Sequence, residues 1–420
     1  MADTVFNKLI WLVKSHEPLP GNQYGDRLFR CGMYFELLSR NQNNKVTWWS
    51  SSYSHYRKLQ LYNKSENIKL EKNKFLNIIK SPGYKSNKSI FRLVDHLIVG
   101  VKFFFKALFS NETPDLIICS FPIFSTAFAC LLLKKVKGIP YVIDYRDDWP
   151  EVFWSTQKGF KKDVIYFLTF FHRITTRLIL SNAYKITSIN DNFLKLAHSK
   201  INRKNNKKDF SISFSYIKNR KSDSNLEINN ELTAFIKNNS SKLIITFIGT
   251  FGHISDVETI YKGAYSLTKS SDDFAFIFCG TGDKLQEWSS KYSSKMILNT
   301  GFVNNDTLSA VLRNSQVGIL PYLNSKMWSS TIPNKFVEYL SEGLFLYTSL
   351  KETSLMGEMI NEHSLGSFYD EGSELNFIEG LNSINIENLN NTKVSRINIF
   401  DKFYGIEKLQ KQINKLVDTQ

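Results

Sequence analysis

Between Ile319 and Leu350 the chain sets a lysine and a glutamate, Lys335 and Glu338, one helical turn apart, behind the polar run Ser329-Ser330-Thr331-Ile332-Pro333-Asn334. A lysine ammonium neutralises a phosphate, and the N-H groups at a helix start attract the same anion. Hydroxyls such as Ser330 and Thr331 add donors, and a carboxylate one turn into the helix accepts hydrogen bonds from ribose or sugar hydroxyls. This chemistry suits a sugar joined to a diphosphate. An ordinary helix-strand unit whose Lys335 and Glu338 are solvated remains open on this stretch alone.

A second charged group is Asp144, Arg146, Asp147, Asp148 and Glu151, with Trp149 among them, at the end of the apolar run Tyr141-Val142-Ile143. Charges at the end of a buried strand are costly unless they pair with each other or with a ligand. The spacing predicts Asp144–Arg146 or Arg146–Asp147 pairs, with a ligand-binding and a purely structural reading both open. Two glycine turns follow strand-like runs: Gly249-Thr250-Phe251-Gly252-His253, and Gly280-Thr281-Gly282. Glycines there let backbone N-H groups come close to a phosphate. His55, Arg57 and Lys58, interleaved with Tyr53 and Tyr56, could hold a carbohydrate or a phosphate, or form only a basic surface loop.

The elements that must position these groups alternate between strand and helix. Lys8 to Val13 reads as a buried strand followed by the turn-rich loop His16 to Gly21. Asp26 is expected to cap a helix over Arg27 to Ser39, and Val46 to Ser50 to form the second strand. Leu59 to Lys88 is polar and weakly periodic and reads as a long mobile insertion. A helix over Ser89 to Ser110, a strand over Pro114 to Pro122, a helix closed by Gly138 and the strand before Asp144 make a parallel βαβ unit. Lys161 to Leu180 reads as one basic-aromatic helix, Ala183 to Ser188 as the last strand of a first domain, and Lys218 to Asn230 as the boundary. Runs beginning at Leu243, Phe274, Ile297 and Val317 are strands of a second domain, with helices over Asp306 to Asn314 and from Pro333, where the missing N-H costs nothing. Gly343 ends that last helix in a left-handed cap, and an amphipathic tail covers Phe400 to Val417. There is no GxGxxG fingerprint.

Pro333-Asn334-Lys335, Glu338-Tyr339-Leu340 and Gly343 resemble the carboxyl-domain signature of the family-four GT-B glycosyltransferases, the retaining, nucleotide-sugar-dependent group that builds bacterial surface polysaccharides such as capsule and O-antigen. Ile143 to Glu151 resembles the amino-domain motif of the same family, and the glycine loop at Gly249 matches in place. One position departs: members carry a pair of glutamates of which Glu338 matches the second, and Ser330 stands at the first, where the family touches the donor sugar.

The resemblance implies an α/β GT-B fold, two facing Rossmann-like doubly wound parallel-sheet domains with an interdomain cleft. The expected division is an acceptor domain over 1–215, a nucleotide-sugar domain over 216–398 and a terminal helix over 399–420 crossing back. It implies catalytic roles for Lys335, Glu338, Asp147 and Arg146. Donor contacts would come from Gly249, Thr250, Phe251, Gly252, His253, Gly280, Gly282, Phe302, Val303, Ser330, Thr331, Ile332, Pro333 and Asn334. The acceptor side would include Gly21, Asp26, His55, Asp144 and Trp149. The leaving diphosphate itself takes the acceptor's proton in this scheme, so no cofactor and no metal are expected, and the chain has no Asp-x-Asp pair to hold one. The partners implied are a nucleotide-sugar donor and a lipid-linked or soluble saccharide acceptor. A catalytically inactive, membrane-associated partner of another transferase is the alternative.

At 420 residues the chain exceeds one ordinary core. Its 54 basic and 39 acidic residues leave a net charge of +15, which suits an anionic partner. No nucleic-acid recognition module is evident, and nucleic acid is not an expected partner. Lys161 to Leu180 mixes aromatic and basic residues as a helix lying on a membrane surface does, and a core helix of the first domain explains it equally well; with the similar Lys102 to Lys106 and the polyprenyl-diphosphate acceptors that the resemblance implies, the expectation is peripheral attachment to the inner face of the cell membrane from the cytoplasm. The first residues hold too short an apolar run for a signal sequence or a spanning helix. Cys31, Cys119, Cys130 and Cys279 are scattered and read as reduced, buried thiols.

Overall fold

In the computed structural model the described residues are 6–21, 24–86, 89–151, 154, 157–201, 203, 206–218, 230–252 and 255–418. They form two compact units, one of Met1–Asn22, Leu28–Ser213 and Gln410–Gln420, the other of Gln23–Arg27 and Phe214–Leu409.

The first unit is built on β1 (Lys8–Val13), β2 (Asn44–Ser51), β5 (Glu66–Glu71), β6 (Lys74–Ile79), β7 (Leu116–Phe121), β8 (Tyr141–Tyr145), β9 (Lys185–Ser188) and β10 (Phe210–Ser211); β3 (Tyr53–Ser54) and β4 (Leu59–Gln60) form a separate antiparallel pair. The sheet order is β10-β9-β8-β7-β1-β2-β6-β5, parallel except for β5. Runs such as LIICSF are buried at every residue, as strands covered on both faces must be. The chain runs outward from β1 through β2 to β6, then returns to place β7 on the other side of β1. The carboxyl ends of β1 and β7 therefore flank a topological switch point.

The second unit has β11 (Leu243–Thr250), β12 (Phe274–Thr281), β13 (Ile297–Gly301), β14 (Val317–Leu320), β15 (Phe345–Thr348) and β16 (Gly366–Phe368). Its order is β13-β12-β11-β14-β15-β16, every neighbouring pair parallel. Its switch point lies between β11 and β14, and the loops after both strands emerge at the same edge.

Three expectations are corrected. The helix after β1 runs over Arg30–Ser39, and its N-cap is Phe29 rather than Asp26. The partners of Gly25 and Arg27 are Asn305 and Glu338 of the second unit, which draw that segment out of the helix. The presumed mobile insertion is instead sheet: β6 pairs with β2, burying Leu76, Ile78 and Ile79, and the charged β5 closes the edge, where Lys and Glu oppose further pairing. The basic-aromatic helix is two helices, Gly159–Leu168 and Phe170–Asn182. They part at Thr169, whose backbone leaves the helical region (φ −91°, ψ 8°) while its hydroxyl donates to the Ile165 carbonyl at 2.9 Å, a back-bond that bends helices.

Candidate functional site

The helix Asn334–Ser341 starts at Pro333, whose extended backbone makes it the N-cap and whose ring cannot cap the first turn. Phe336, Val337, Tyr339 and Leu340 are fully buried and fix the helix against β14 and β15, while the Tyr339 hydroxyl oxygen accepts the Ile248 N-H of β11 at 2.9 Å. Gly343 closes the helix with φ 73°. This packing brings the uncapped helix end, with its positive dipole, to the switch point of the sheet, the edge where open α/β sheets bind ligands.

At that end Glu338 is buried and its two oxygens are held by two cations. Arg27 Nη1 donates to Oε1, and Lys335 Nζ donates to Oε2 at 3.1 Å. Burial alone would raise the Glu338 carboxyl, but the Arg27 and Lys335 charges outweigh it and hold it below the usual range. Burial lowers the Lys335 ammonium, opposed by Glu338. Two cations thus meet on one carboxylate beside a helix N-terminus. Sequence reasoning placed Glu338 against sugar hydroxyls; in the structure its lone pairs serve Arg27 and Lys335. Arg27 was missed because only the fold carries it to Glu338.

The glycine turns lie on the same edge. A Cβ on Gly280 would stand 1.8 Å from the Gly249 carbonyl oxygen, and one on Gly282 would stand 2.1 Å from that of Phe251. These glycines allow the turns after β11 and β12 to press backbone against backbone. The Phe251 ring is fully buried against Phe247, its centroid 5.2 Å away. Thr250 and Gly282 are exposed, and the space beside Gly252 is open. Phe302 is exposed and Val303 half-buried after β13, while Thr331 and Pro333 are buried and Ser330, Ile332 and Lys335 half-buried in the loop after β14; Asn334 is exposed. His253 lies outside the described residues.

In the first unit, of the two pairings left open, the structure takes Asp144–Arg146, Arg146 Nε to Asp144 Oδ2 at 2.7 Å. Arg30 adds a bidentate pair, Nε and Nη2 each 2.9 Å from the same carboxylate, and Thr187 donates to Oδ1 at 3.2 Å. Burial opposes ionisation of Asp144, but the Arg30 and Arg146 charges hold its carboxyl well below the usual range. Arg146 also binds Glu17 Oε1, and Glu17 Oε2 accepts the Cys31 N-H at 2.9 Å, capping the helix Arg30–Ser39 from the loop after β1. Arg30 and Glu17 carried no motif signal in the sequence. Asp147 is exposed; Asp148 and Glu151 share Lys200; Trp149 is half-buried beneath the Arg92 guanidinium, 5.6 Å from its ring. Gly21 is exposed in the left-handed region, and Asp26 is half-buried. His55 Nδ1 lies 2.5 Å from the Tyr84 hydroxyl, and burial with Lys58 nearby lowers its pKa to about 3.

No protein-family model matches the chain, and no curated protein matches it. Solved structures do. Sucrose-phosphate synthase from Thermosynechococcus elongatus aligns over 97% of this chain and 98% of its own, at 10% identity and a TM-score of 0.69. Anabaena HepE in complex with UDP and glucose covers 98% and 100%, at 10% identity and 0.63. WaaG, a glycosyltransferase involved in lipopolysaccharide biosynthesis, covers 97% and 99%, at 13% identity and 0.62. At such identities the likeness is one of fold: the chain has the GT-B architecture of Rossmann-like parallel sheets.

Proposed function

We propose that the chain is a retaining glycosyltransferase that moves a hexosyl or hexosaminyl group from a nucleotide-sugar to a saccharide acceptor on a polyprenyl diphosphate, in capsule or O-antigen synthesis. The observation that carries this reading is the pair of cations, Arg27 and Lys335, gathered on Glu338 at a helix start on the switch point of the second sheet. That combination suits a diphosphate. The UDP complexes of HepE make a uridine nucleotide the first candidate for the donor.

In this scheme the acceptor oxygen bonds to the anomeric carbon as the bond from that carbon to the diphosphate breaks. The broken bond's electron pair stays on the leaving phosphate, which also takes the acceptor's proton. Lys335 and the N-H groups of Asn334 and Lys335 stabilise the charge developing there, and Glu338 holds Lys335 in place. The open turns at Gly252 and Gly282 and the exposed Thr250 and Phe302 serve the nucleotide, and Ser330 bears on sugar choice. The first unit takes the acceptor.

The membrane part rests on exposed apolar side chains. The helix Gly159–Leu168 buries none of its residues; Phe160 is 83% exposed, Phe167 78% and Phe171 of the next helix 79%. Lys161, Lys162, Arg173 and Arg177 lie among them, and the helix Ile90–Leu108, with Lys102 and Lys106, exposes Phe91, Leu97 and Phe105. Among the described residues no helix is long and apolar enough to cross a membrane. Aromatic insertion beside basic residues suits an anionic lipid surface, here the inner face of the cell membrane.

The test is thermal shift of the whole chain against UDP, GDP, ADP and their sugars. A nucleotide at a hundred times its Kd adds about 2.7 kcal/mol of stability. If none raises the melting temperature, the donor reading fails.

A further inference from the structure

Five residues that fall within the first unit's stretch of sequence, Gln23–Arg27, belong to the second unit. Tyr24 to Arg27 act there as a strap at the carboxyl edge of the second sheet. At one end the Gly25 carbonyl accepts the Asn305 N-H at 3.0 Å, two residues past Val303 in the turn after β13, and a Cβ on Gly25 would stand 4.0 Å from that of Asn304. At the other end Arg27 Nη1 donates to Glu338 Oε1, in the helix Asn334–Ser341 that follows the loop after β14. The strap therefore joins two of the segments that the donor reading gives to the nucleotide, and it ends on the carboxylate that a ribose hydroxyl would use.

Three features set this contact apart from an ordinary buried ion pair. Glu338 is 1% exposed, so a ligand reaches its oxygens only after a neighbour moves. Second, Lys335 already supplies a counter-charge: its Nζ lies 3.1 Å from Oε2, and, three residues away on the same helix, it stays with Glu338. Arg27 is thus a second cation on a carboxylate that one cation neutralises, and buried ion pairs add little stability over apolar replacements, so stability gives weak reason for the detour of the chain. Third, the Arg27 side chain is 17% exposed against 2% for that of Glu338, which leaves the guanidinium water to move into. Gly21 and Gly25 stand at φ 69° and 60°, a region open to glycine without steric cost, and small residues of this kind absorb the backbone changes of a hinge.

We propose that Tyr24 to Arg27 form a displaceable strap, in which Arg27 competes with the ribose hydroxyls of the donor nucleotide for Oε1 of Glu338. It rests on the glycosyltransferase reading and adds an order of events at the donor site: Arg27 leaves, Oε1 accepts from the hydroxyls, and Oε2 keeps Lys335 beside the diphosphate. A carboxylate oxygen accepts from a hydroxyl as it does from a guanidinium. The bond given up joins two charges and the bond gained only one, so the strap weakens the apparent binding of any nucleotide that uses Glu338. That apparent dissociation constant is the intrinsic one divided by the fraction of molecules with the strap lifted. A nucleotide without ribose hydroxyls has nothing to set against Arg27 and leaves the strap down.

The experiment is isothermal titration calorimetry of the full chain with UDP and with 2′,3′-dideoxy-UDP, or with the nucleoside diphosphate that the thermal-shift panel selects and its dideoxy form, in wild type and in Arg27→Gln. The ratio of the two affinities reports the hydroxyls alone. It should rise about tenfold in Arg27→Gln, where the hydroxyls no longer compete with a guanidinium. A merely structural arginine would move both nucleotides together, as would the loss of a charge near the diphosphate, and either would leave the ratio as it was. In a Glu338→Gln background the same change at Arg27 should have no effect on the ratio. Should Arg27→Gln not fold, Arg27→Lys keeps a cation without the planar fork and must raise the ratio in the same sense. An unchanged or smaller ratio in a folded variant overturns the strap while the donor reading stands. If no nucleoside diphosphate binds wild type or variant, the donor reading fails and the strap with it.

Discussion

Arg27 and Lys335 close on the two oxygens of a single buried carboxylate, Glu338, although 311 positions separate Arg27 from that glutamate. The carboxylate orients both cations beside the helix start. That division of labour sets what each substitution should do.

Lys335→Ala removes the cation nearest the helix start and leaves Glu338 paired with Arg27. Turnover with the donor found in the nucleotide panel should fall about a hundredfold or more, with the melting temperature little changed. Activity equal to wild type would remove the role assigned to this lysine.

Because Lys335 and the helix end supply the positive charge that a cation would otherwise bring, transfer should proceed at full rate in EDTA. A rate that returns only on adding magnesium or manganese would contradict this.

Asp144→Asn should destabilise the first unit by about 3–5 kcal/mol, because Arg30 and Arg146 would be left buried with a neutral partner. The folded-state pKa of Asp144 is depressed, so its contribution is full above the ordinary carboxylate value near 4 and is lost as pH falls through the folded value. Denaturant titrations from pH 7 to pH 3 should therefore slope less in the variant than in wild type. Parallel slopes would count against the pairing.

Histidines give a second pH window. His55 and His96 titrate near 3 in the folded chain, below the ordinary 6.5, so unfolded chains bind the proton first. Stability is full above pH 6.5 and declines as pH falls toward 3; by pH 5 one buried neutral histidine costs about 2 kcal/mol. The drop in melting temperature between pH 7.5 and pH 5 should be smaller in His96→Phe. An equal drop would mean that His96 is not buried neutral.

Binding to anionic lipid vesicles should exceed binding to neutral ones and weaken as salt rises, since the Debye length shortens to about 8 Å by physiological ionic strength. Replacing Phe160, Phe167 and Phe171 with serine should lower it further at every salt concentration. Flotation that shows no preference for anionic vesicles would leave the excess charge for another partner.

Much of the architecture was written in local pattern. Apolar runs such as Leu116 to Cys119 read as covered strands, and the turns that follow β11 and β12 carry the glycines that close backbone approach requires. Pro333, the periodic apolar residues after it and Gly343 define a helix by interactions within a few residues of each other. The Asp144–Arg146 pair was legible for the same reason, since neighbouring charges at a strand end have few other partners.

Where partners are distant, only the tertiary structure decided. The segment at Asp26 reads as a helix start, yet Arg27 gains a buried carboxylate and Gly25 a backbone bond within the second unit, to which residues Gln23–Arg27 belong, and these outweigh a local cap. Glu17 and Arg30 become one network with Asp144 and Arg146 only when β1 and β8 lie in one sheet. β5 and β6 looked like loop because a strand's stability comes from its neighbours, and β2 is not adjacent in the chain. His16, Tyr84 and His96 carry no signal at their spacing; the crossing of β1, β2 and β6 gathers them at one edge, because side-chain proximity in a parallel sheet is set by strand order and not by position along the chain.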